Sequence, residues 1–267
     1  MKNILCVFVL LSAILVGCDL EKIIEVELPE YKSELSMECY IEPNKPIRLT
    51  LTESVSYFDS ARLPVINGAL VVVSYNGFSD TLRNAFLRDS NRFYNYVSQK
   101  NAPSAVGTVF NLYVKDTNGR EARATATILP SVPIDSLRVI WNKSDTLASI
   151  VTTLIDEPNR DNFYRIFLHR GSTRNRPESR TWFTDRTATN NRVSIGSQFE
   201  FKRTDTVIAT LFHLSKEYYD FIQSSDNAED ANGSPFEQPS AIISNVKGGI
   251  GIFTTVNAYR DTVFLKK

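Results

Sequence analysis

The chain has 267 residues, with 30 Lys+Arg against 30 Asp+Glu, 42% hydrophobic and 22% charged positions. That length allows two domains, and the zero net charge excludes a general nucleic-acid binder, which needs a basic excess to displace counterions from phosphates. Two His and three Cys are too few for zinc ribbons, His-rich metal sites or a disulfide scaffold, so no metal and no cofactor is expected.

Lys2 precedes an apolar run from Ile4 to Val16, interrupted by Ser12 and Ala13, that ends at Gly17 before Cys18. About a dozen residues are too few for a hydrocarbon core that needs roughly 20, so residues 1–17 read as a signal peptide. Leu15-Val16-Gly17-Cys18 resembles a bacterial lipobox, at which the Cys thiol is diacylated and the chain is cut on its N-terminal side. Lipidation is therefore expected at Cys18, with residues 18–30 as a tether. Processing leaves 29 basic against 30 acidic residues and two cysteines. The acyl chains, at about 0.8 kcal/mol per buried methylene, would hold the protein on a membrane, and no second apolar stretch reaches spanning length. Cys39 shares its parity with Leu35, Met37 and Ile41, which predicts a buried small hydrophobe and not a reactive thiol.

From residue 24 the dominant signal is period two, which places alternate side chains on opposite faces of a strand. It predicts strands at Ile24–Leu28, Leu35–Ile41 and Ile47–Leu51, the last two separated by the turn-rich Glu42-Pro43-Asn44-Lys45-Pro46. Ala69 to Tyr75 and Phe78 to Leu82 flank Asn76-Gly77, a pair suited to a tight hairpin. A second hairpin is expected around Asn118-Gly119, between Phe110/Leu112/Val114 and Ala122/Ala124/Ala126/Ile128. Strand signals spaced by about 8–12 residues imply a β-sandwich, immunoglobulin-like or transthyretin-like, although the Cys…Trp…Cys signature is missing.

Pro130 and Pro133 remove amide donors and end sheet pairing, which places a boundary between a sandwich at 31–130 and a second mainly-β domain at 134–267. Strands are expected there at Leu137–Trp141, Leu147–Ile155, Phe163–Leu168, Thr181–Thr184, Phe199/Phe201 and Val207–Leu214. One short helix begins after Ser215, a good N-cap, with Tyr218, Phe221 and Ile222 on one stripe, and ends near Ser225. A polar loop from Asp226 to Gln238 follows, and strands return at Ala241–Ile243 and Ile250–Val256. The glycines at 248, 249 and 251 lack a following helix that could bind a phosphate. With Asn245 they predict a tight turn or bulge where another backbone approaches closely.

The lipobox, the strand pair across Leu35 to Asp59 and the Gly68-Ala69-Leu70-Val71-Val72-Val73 strand together resemble a family of outer-membrane lipoproteins of the Bacteroidota, domain-of-unknown-function family 4249. The most specific part is the end block Tyr218-Tyr219, Phe236-Glu237-Gln238-Pro239 and Ser244-Asn245-Val246-Lys247-Gly248-Gly249-Ile250-Gly251-Ile252-Phe253. The resemblance implies a place in the cell envelope, lipid-anchored to the outer membrane, on either its periplasmic or its exposed side. Members are often encoded beside TonB-dependent receptors, which implies such a receptor as partner. The family offers no catalytic residues.

The residues themselves single out one contact surface. Arg170, Arg174, Arg176 and Arg180 flank a strand connection, with Trp182 and Arg186 just beyond. Guanidinium forks hold carboxylates or phosphates, and aromatic neighbours supply flat apolar area; a solvated connection with Trp182 in the core is the plainer reading. His169 and His213 each close an apolar strand without metal-like spacing. No nucleophile elbow, Cys/His pair or zinc helix occurs, so no enzyme activity is expected.

Asp followed by Ser or Thr and a small or aliphatic residue recurs at Ser60, Thr81, Ser136, Thr146, Thr206 and Thr262. The pattern resembles the O-glycosylation acceptor of Bacteroidota, and equally suits a turn entering a strand. The functional expectation is a non-enzymatic, lipid-anchored binding or accessory protein beside a TonB-dependent transporter. An adhesin-like or pilus-related surface protein is the alternative, and a carboxylate-dependent hydrolase the third.

Overall fold

In the computed structural model, residues 31–56, 64–89, 92–157, 160–233 and 241–266 are described below. The first strands follow the alternation of the sequence. β1 (Leu35–Ile41) and β2 (Pro46–Glu53) pair antiparallel, and both bury every second residue. β3 (Leu70–Tyr75) and β4 (Phe78–Thr81) form the Asn76-Gly77 hairpin, whose two turn residues have φ of 47° and 77°. β5 (Arg83–Asp89) and β6 (Arg92–Asn101) pair with each other, and β7 (Val109–Lys115) pairs with β8 (Glu121–Thr127).

The later strands are β9 (Ile134–Trp141), β10 (Leu147–Ile155), β11 (Phe163–Arg170), β12 (Ser179–Thr184), β13 (Arg192–Gly196), β14 (Phe201–Lys202) and β15 (Thr206–Leu214). A single long helix, α1 (Lys216–Gly233), precedes β16 (Ile250–Thr255) and β17 (Asn257–Phe264) among the described residues. The fold is mainly β and of β-sandwich type.

Two sheets enclose each of two cores. The order β16-β1-β2-β6-β5 faces β4-β3-β7-β8 across Leu35, Met37, Cys39, Leu49, Val71, Phe110 and Phe253, all fully buried. Cys39 is a free, buried thiol, and burial pushes its pKa up. In the second half β9, β10, β13 and β14 face the order β12-β11-β15-β17, around Ile150, Tyr164, Ile166, Phe201 and Leu211. The change from one core to the other falls between Ile128 and Ile134, beside the expected Pro130 and Pro133. Ser33–Lys267 nonetheless form one compact unit, because the chain returns to the first core near its end.

That return is made by β16, which lies parallel to β1 from Ser36↔Ile250 to Ile41↔Thr255. Just before it, Lys247 exchanges both backbone hydrogen bonds with Arg123 of β8, at 2.9 and 2.8 Å. Residues 247–255 thereby join the edges of the two sheets of the first sandwich. The glycines are what make the approach possible. A Cβ would lie 2.2 Å from the Glu121 carbonyl oxygen at Gly248, 2.5 Å from that of Leu35 at Gly249 and 1.9 Å from that of Met37 at Gly251. Asn245 completes the seam, donating to the Phe253 carbonyl at 2.7 Å and accepting from the Phe253 amide at 2.9 Å.

Several elements differ from expectation. The helix does not stop near Ser225 but runs to Gly233, so residues 226–233 are helical and not a loop. Tertiary bonds support a stretch with little apolar periodicity: Trp182 Nε1 donates to Asp226 at 2.8 Å, and the Ile243 amide donates to Ser224 Oγ at 2.8 Å. Ala241–Ile243 is not a strand, since that segment is tied to the helix instead. β5, β6, β13 and β17 are additional strands. The expected strand at 24–28 lies outside the described residues.

Candidate functional site

β11 and β12 form a hairpin whose connection, residues 171–178, carries the arginines singled out in the sequence. The structure divides them. Arg170 is committed to the second core's margin: Nε lies 3.1 Å from Asp205 and 3.7 Å from Glu178, and Nη2 donates to the Glu200 carbonyl at 3.0 Å. Burial and then Glu178 push the Glu200 carboxyl upward against the pull of Arg170. Arg174 is exposed in the turn, its amide held by Ser172 Oγ at 3.2 Å. Arg176 and Arg180, both exposed, line an open cleft of about 330 Å³ with Pro177 and Glu178. Arg186 is exposed on a short 3-10 turn, Asp185–Thr187, beyond β12.

Trp182 takes a different role. Its ring packs edge-on against Tyr219 at 5.3 Å, and it belongs to a third apolar cluster under α1 with Tyr218, Ile222, Phe163 and Phe212. Tyr40 and Ile252 join the same cluster from the first sandwich, so α1 is wedged between the outer faces of two sheets. Trp182 therefore anchors the helix and is not a free contact residue, which is the plainer of the two readings. The helix starts as expected: Ser215 Oγ accepts from the Tyr218 amide at 3.3 Å, and Glu217 lies in the first turn.

Alternation along β11 reveals neighbours that the hairpin sequence did not. Tyr164, Ile166 and Leu168 point into the core, so Phe163, Arg165, Phe167 and His169 share the outer face. Cross-strand register then sets Arg180, Phe167, Thr210 and Arg260 in one row across all four strands. The Arg165 guanidinium sits 4.7 Å over the Phe167 ring, and its Nη1 donates to the Tyr218 hydroxyl at 3.1 Å. Phe212 packs edge-on against Phe167 at 5.3 Å and His169 does so at 6.0 Å. The sequence signal for this set was present in the parity of β11, but Arg260 comes from a strand 90 residues further along, counting 260 minus 170.

The two histidines are unlike. His213 faces inward, stacked on Tyr164 at 5.4 Å, and its Nδ1 donates to the Pro130 carbonyl at 3.0 Å. His169 is 6% exposed, and its Nδ1 has no hydrogen-bond partner among the described residues. No group of three or more His, Cys, Asp or Glu suited to a metal ion occurs among the described residues.

Of the six acceptor-like hydroxyls, Thr81, Ser136, Thr146 and Thr262 are exposed and Thr206 is half-buried; Ser60 lies outside the described residues. Several of the preceding aspartates have structural work: Asp135 pairs with Arg192 at 2.6 Å, Asp145 with Arg203, and Asp205 accepts from the Lys202 amide at 2.7 Å. Cys18 lies outside the described residues, and no described helix is long and apolar enough to cross a membrane.

No curated protein matches the chain. Among solved structures, two titled as a cytokine receptor complex are similar: crystal form 2 at 7% identity and TM-score 0.28 over 68% of this chain and 92% of that one. Crystal form 1A is 8% identical with TM-score 0.26, covering 68% and 86%. Pullulanase from Anoxybacillus sp. LM18-11 is 8% identical with TM-score 0.22, covering 67% of this chain and 24% of its own. The profile of one family matches residues 21–262, most of the chain. The chain belongs to that family, described as Domain of unknown function (DUF4249).

Proposed function

We propose that the protein is a lipid-anchored, non-catalytic binding or accessory subunit of the outer membrane, partnering a TonB-dependent transporter. Acylated Cys18 holds it to the membrane, and residues 19–30 tether the folded body. The observation that carries the reading is the exposed hairpin connection at 171–178. It presents Arg174 and Arg176, with Arg180 beside them, free of ion pairs among the described residues, on a firm two-strand support. Such forks suit the carboxylates of a partner's loops, and the two-strand support leaves little to order on association.

Purification of the full lipidated chain from its native membrane in mild detergent tests this. A transporter barrel should accompany it in stoichiometric amount, and Arg174→Glu with Arg176→Glu should release the barrel while leaving the protein on the membrane. The exposed Thr81, Ser136, Thr146 and Thr262 are proposed to carry O-glycans at some positions. An intact mass equal to protein plus lipid alone would remove that part of the reading.

A further inference from the structure

The outer face of the β12-β11-β15-β17 sheet is only partly covered by α1. The helix takes the end bearing Phe163, Trp182 and Phe212. Further along, the row Arg180, Phe167, Thr210, Arg260 and the next row, His169, Ile208, Thr262, carry no described helix contact in that cluster. These rows have a floor and a rim. Thr210 and His169 are 2% and 6% exposed, Phe167 and Ile208 are half-buried, and Arg180 and Arg260 at the two edges are exposed.

Two buried polar atoms in this floor, Thr210 Oγ1 and His169 Nδ1, lack partners among the described residues, and so does Arg165 Nε in the neighbouring row under α1. A buried polar group left unpaired costs about 1–3 kcal/mol, so three on one face call for a ligand that supplies hydrogen-bonding atoms. The charge on the face has one sign. Arg165, Arg180 and Arg260 make no ion pair among the described residues, whereas Arg170, facing the opposite side of the same sheet, is matched by Asp205 and Glu178. Arg260 acts on His169 directly: burial first, then that guanidinium, hold the imidazole below its ordinary pKa.

We propose that this open end of the sheet binds a phosphoryl group carried on a small apolar body. Guanidinium forks from Arg180 and Arg260 take the oxyanion from both edges, Thr210 donates its hydroxyl, and the ring of Phe167 supports the apolar part. Three strand spacings of about 4.8 Å separate the two edge arginines, a span that long arms close from either side over Phe167. The third guanidinium, Arg165, is already parked on that ring and adds charge without moving. The inference does not depend on the transporter reading, since the site lies within one sheet of this chain.

The chain holds only two histidines, one in the proposed site and one on the inner face of the same sheet, which makes them probe and control. Arg260 on β17 is the charged group that acts on His169; Arg165 on its own strand and Arg180 on β12 lie in other rows of the same face, and β15 contributes the neutral Ile208 and Thr210. Imidazole NMR of the full lipidated chain in non-ionic detergent would be followed against phenyl phosphate, inorganic phosphate and sodium chloride at matched ionic strength. Phenyl phosphate should shift the His169 signals saturably and raise its pKa, with His213 unmoved; Arg180→Gln combined with Arg260→Gln, both at exposed positions, should weaken binding by about tenfold or more. Inorganic phosphate giving the same shift at higher concentration would assign recognition to the phosphoryl group itself. A His169 response equal to that of sodium chloride, movement of both histidines together, or an unchanged titration in the double variant would overturn the proposal.

Discussion

Gly251 has φ of +118°, and a Cβ there would lie 1.9 Å from the Met37 carbonyl oxygen, inside the parallel pairing of β1 with β16. Neither fault can be relieved by a rotamer change, because the obstructing atom is backbone. Gly251→Ala should therefore lower stability by at least about 3 kcal/mol, read by urea unfolding; a loss near zero would show that β16 does not pack on β1 as described. A second residue-scale consequence concerns pH. Burial holds both histidines below the ordinary value, with Arg260 adding to the effect at His169 and the Pro130 carbonyl opposing it at His213. Folded pKa values below an unfolded value of about 6.5 mean that the unfolded chain binds protons first as pH falls. Their contribution to stability is complete above that pH and is lost as pH drops through the folded values. Melting temperature should thus decline below about pH 6.5, and His169→Gln with His213→Gln should flatten the slope between about pH 7 and 5. A slope unchanged by the double substitution would contradict this.

At the scale of elements, period two located strands with a long aliphatic buried face, such as β1, β2, β7 and β8, and missed the five-residue β13, which buries only Val193 fully. It failed where the buried face is polar. β6 buries Asn95 and Ser98, which hydrogen-bond to the backbone of β2: Asn95 accepts from the Leu51 amide at 2.7 Å and Ser98 from the Ile47 amide at 2.7 Å. β5 is exposed throughout and has no apolar parity to read. The second half of α1 carries Ser, Asp, Asn and Glu, and its helicity depends on Trp182 and Ile243, which local propensity does not register. The seam at Asn245 was legible because a glycine-rich stretch between short β runs has few other uses. Asn245→Ala removes both bonds to Phe253 from the open edge of β16 and should cost about 1–3 kcal/mol in urea unfolding. A cost below a few tenths would mean that the side chain does not act as a substitute strand.

For the molecule as a whole, one sequence feature explains why two sandwiches form a single unit. The chain leaves the first core near Pro130, builds the second, and then comes back through residues 244–255 before β17 closes the second sheet. Thr255 Oγ1 donates to the Thr127 carbonyl at 2.7 Å and Asn257 Nδ2 to that of Leu129 at 3.0 Å, so the return strand also fixes the start of the inter-core segment. Among the candidate site residues, Arg174, Arg176 and Arg180 stand together in one short window of the sequence. Arg165, His169, Thr210 and Arg260 needed the register of three strand pairs, information that no local window holds.

The anchoring and partnership remain the central claim. Its direct measurement is mass spectrometry of what copurifies with the full lipidated protein from native membranes in mild detergent, alongside Cys18→Ser. The account predicts a stoichiometric TonB-dependent transporter barrel with the native chain, and loss of both membrane retention and the barrel with Cys18→Ser. Recovery of the native chain alone, or undiminished membrane retention of the Cys18→Ser protein, would contradict it.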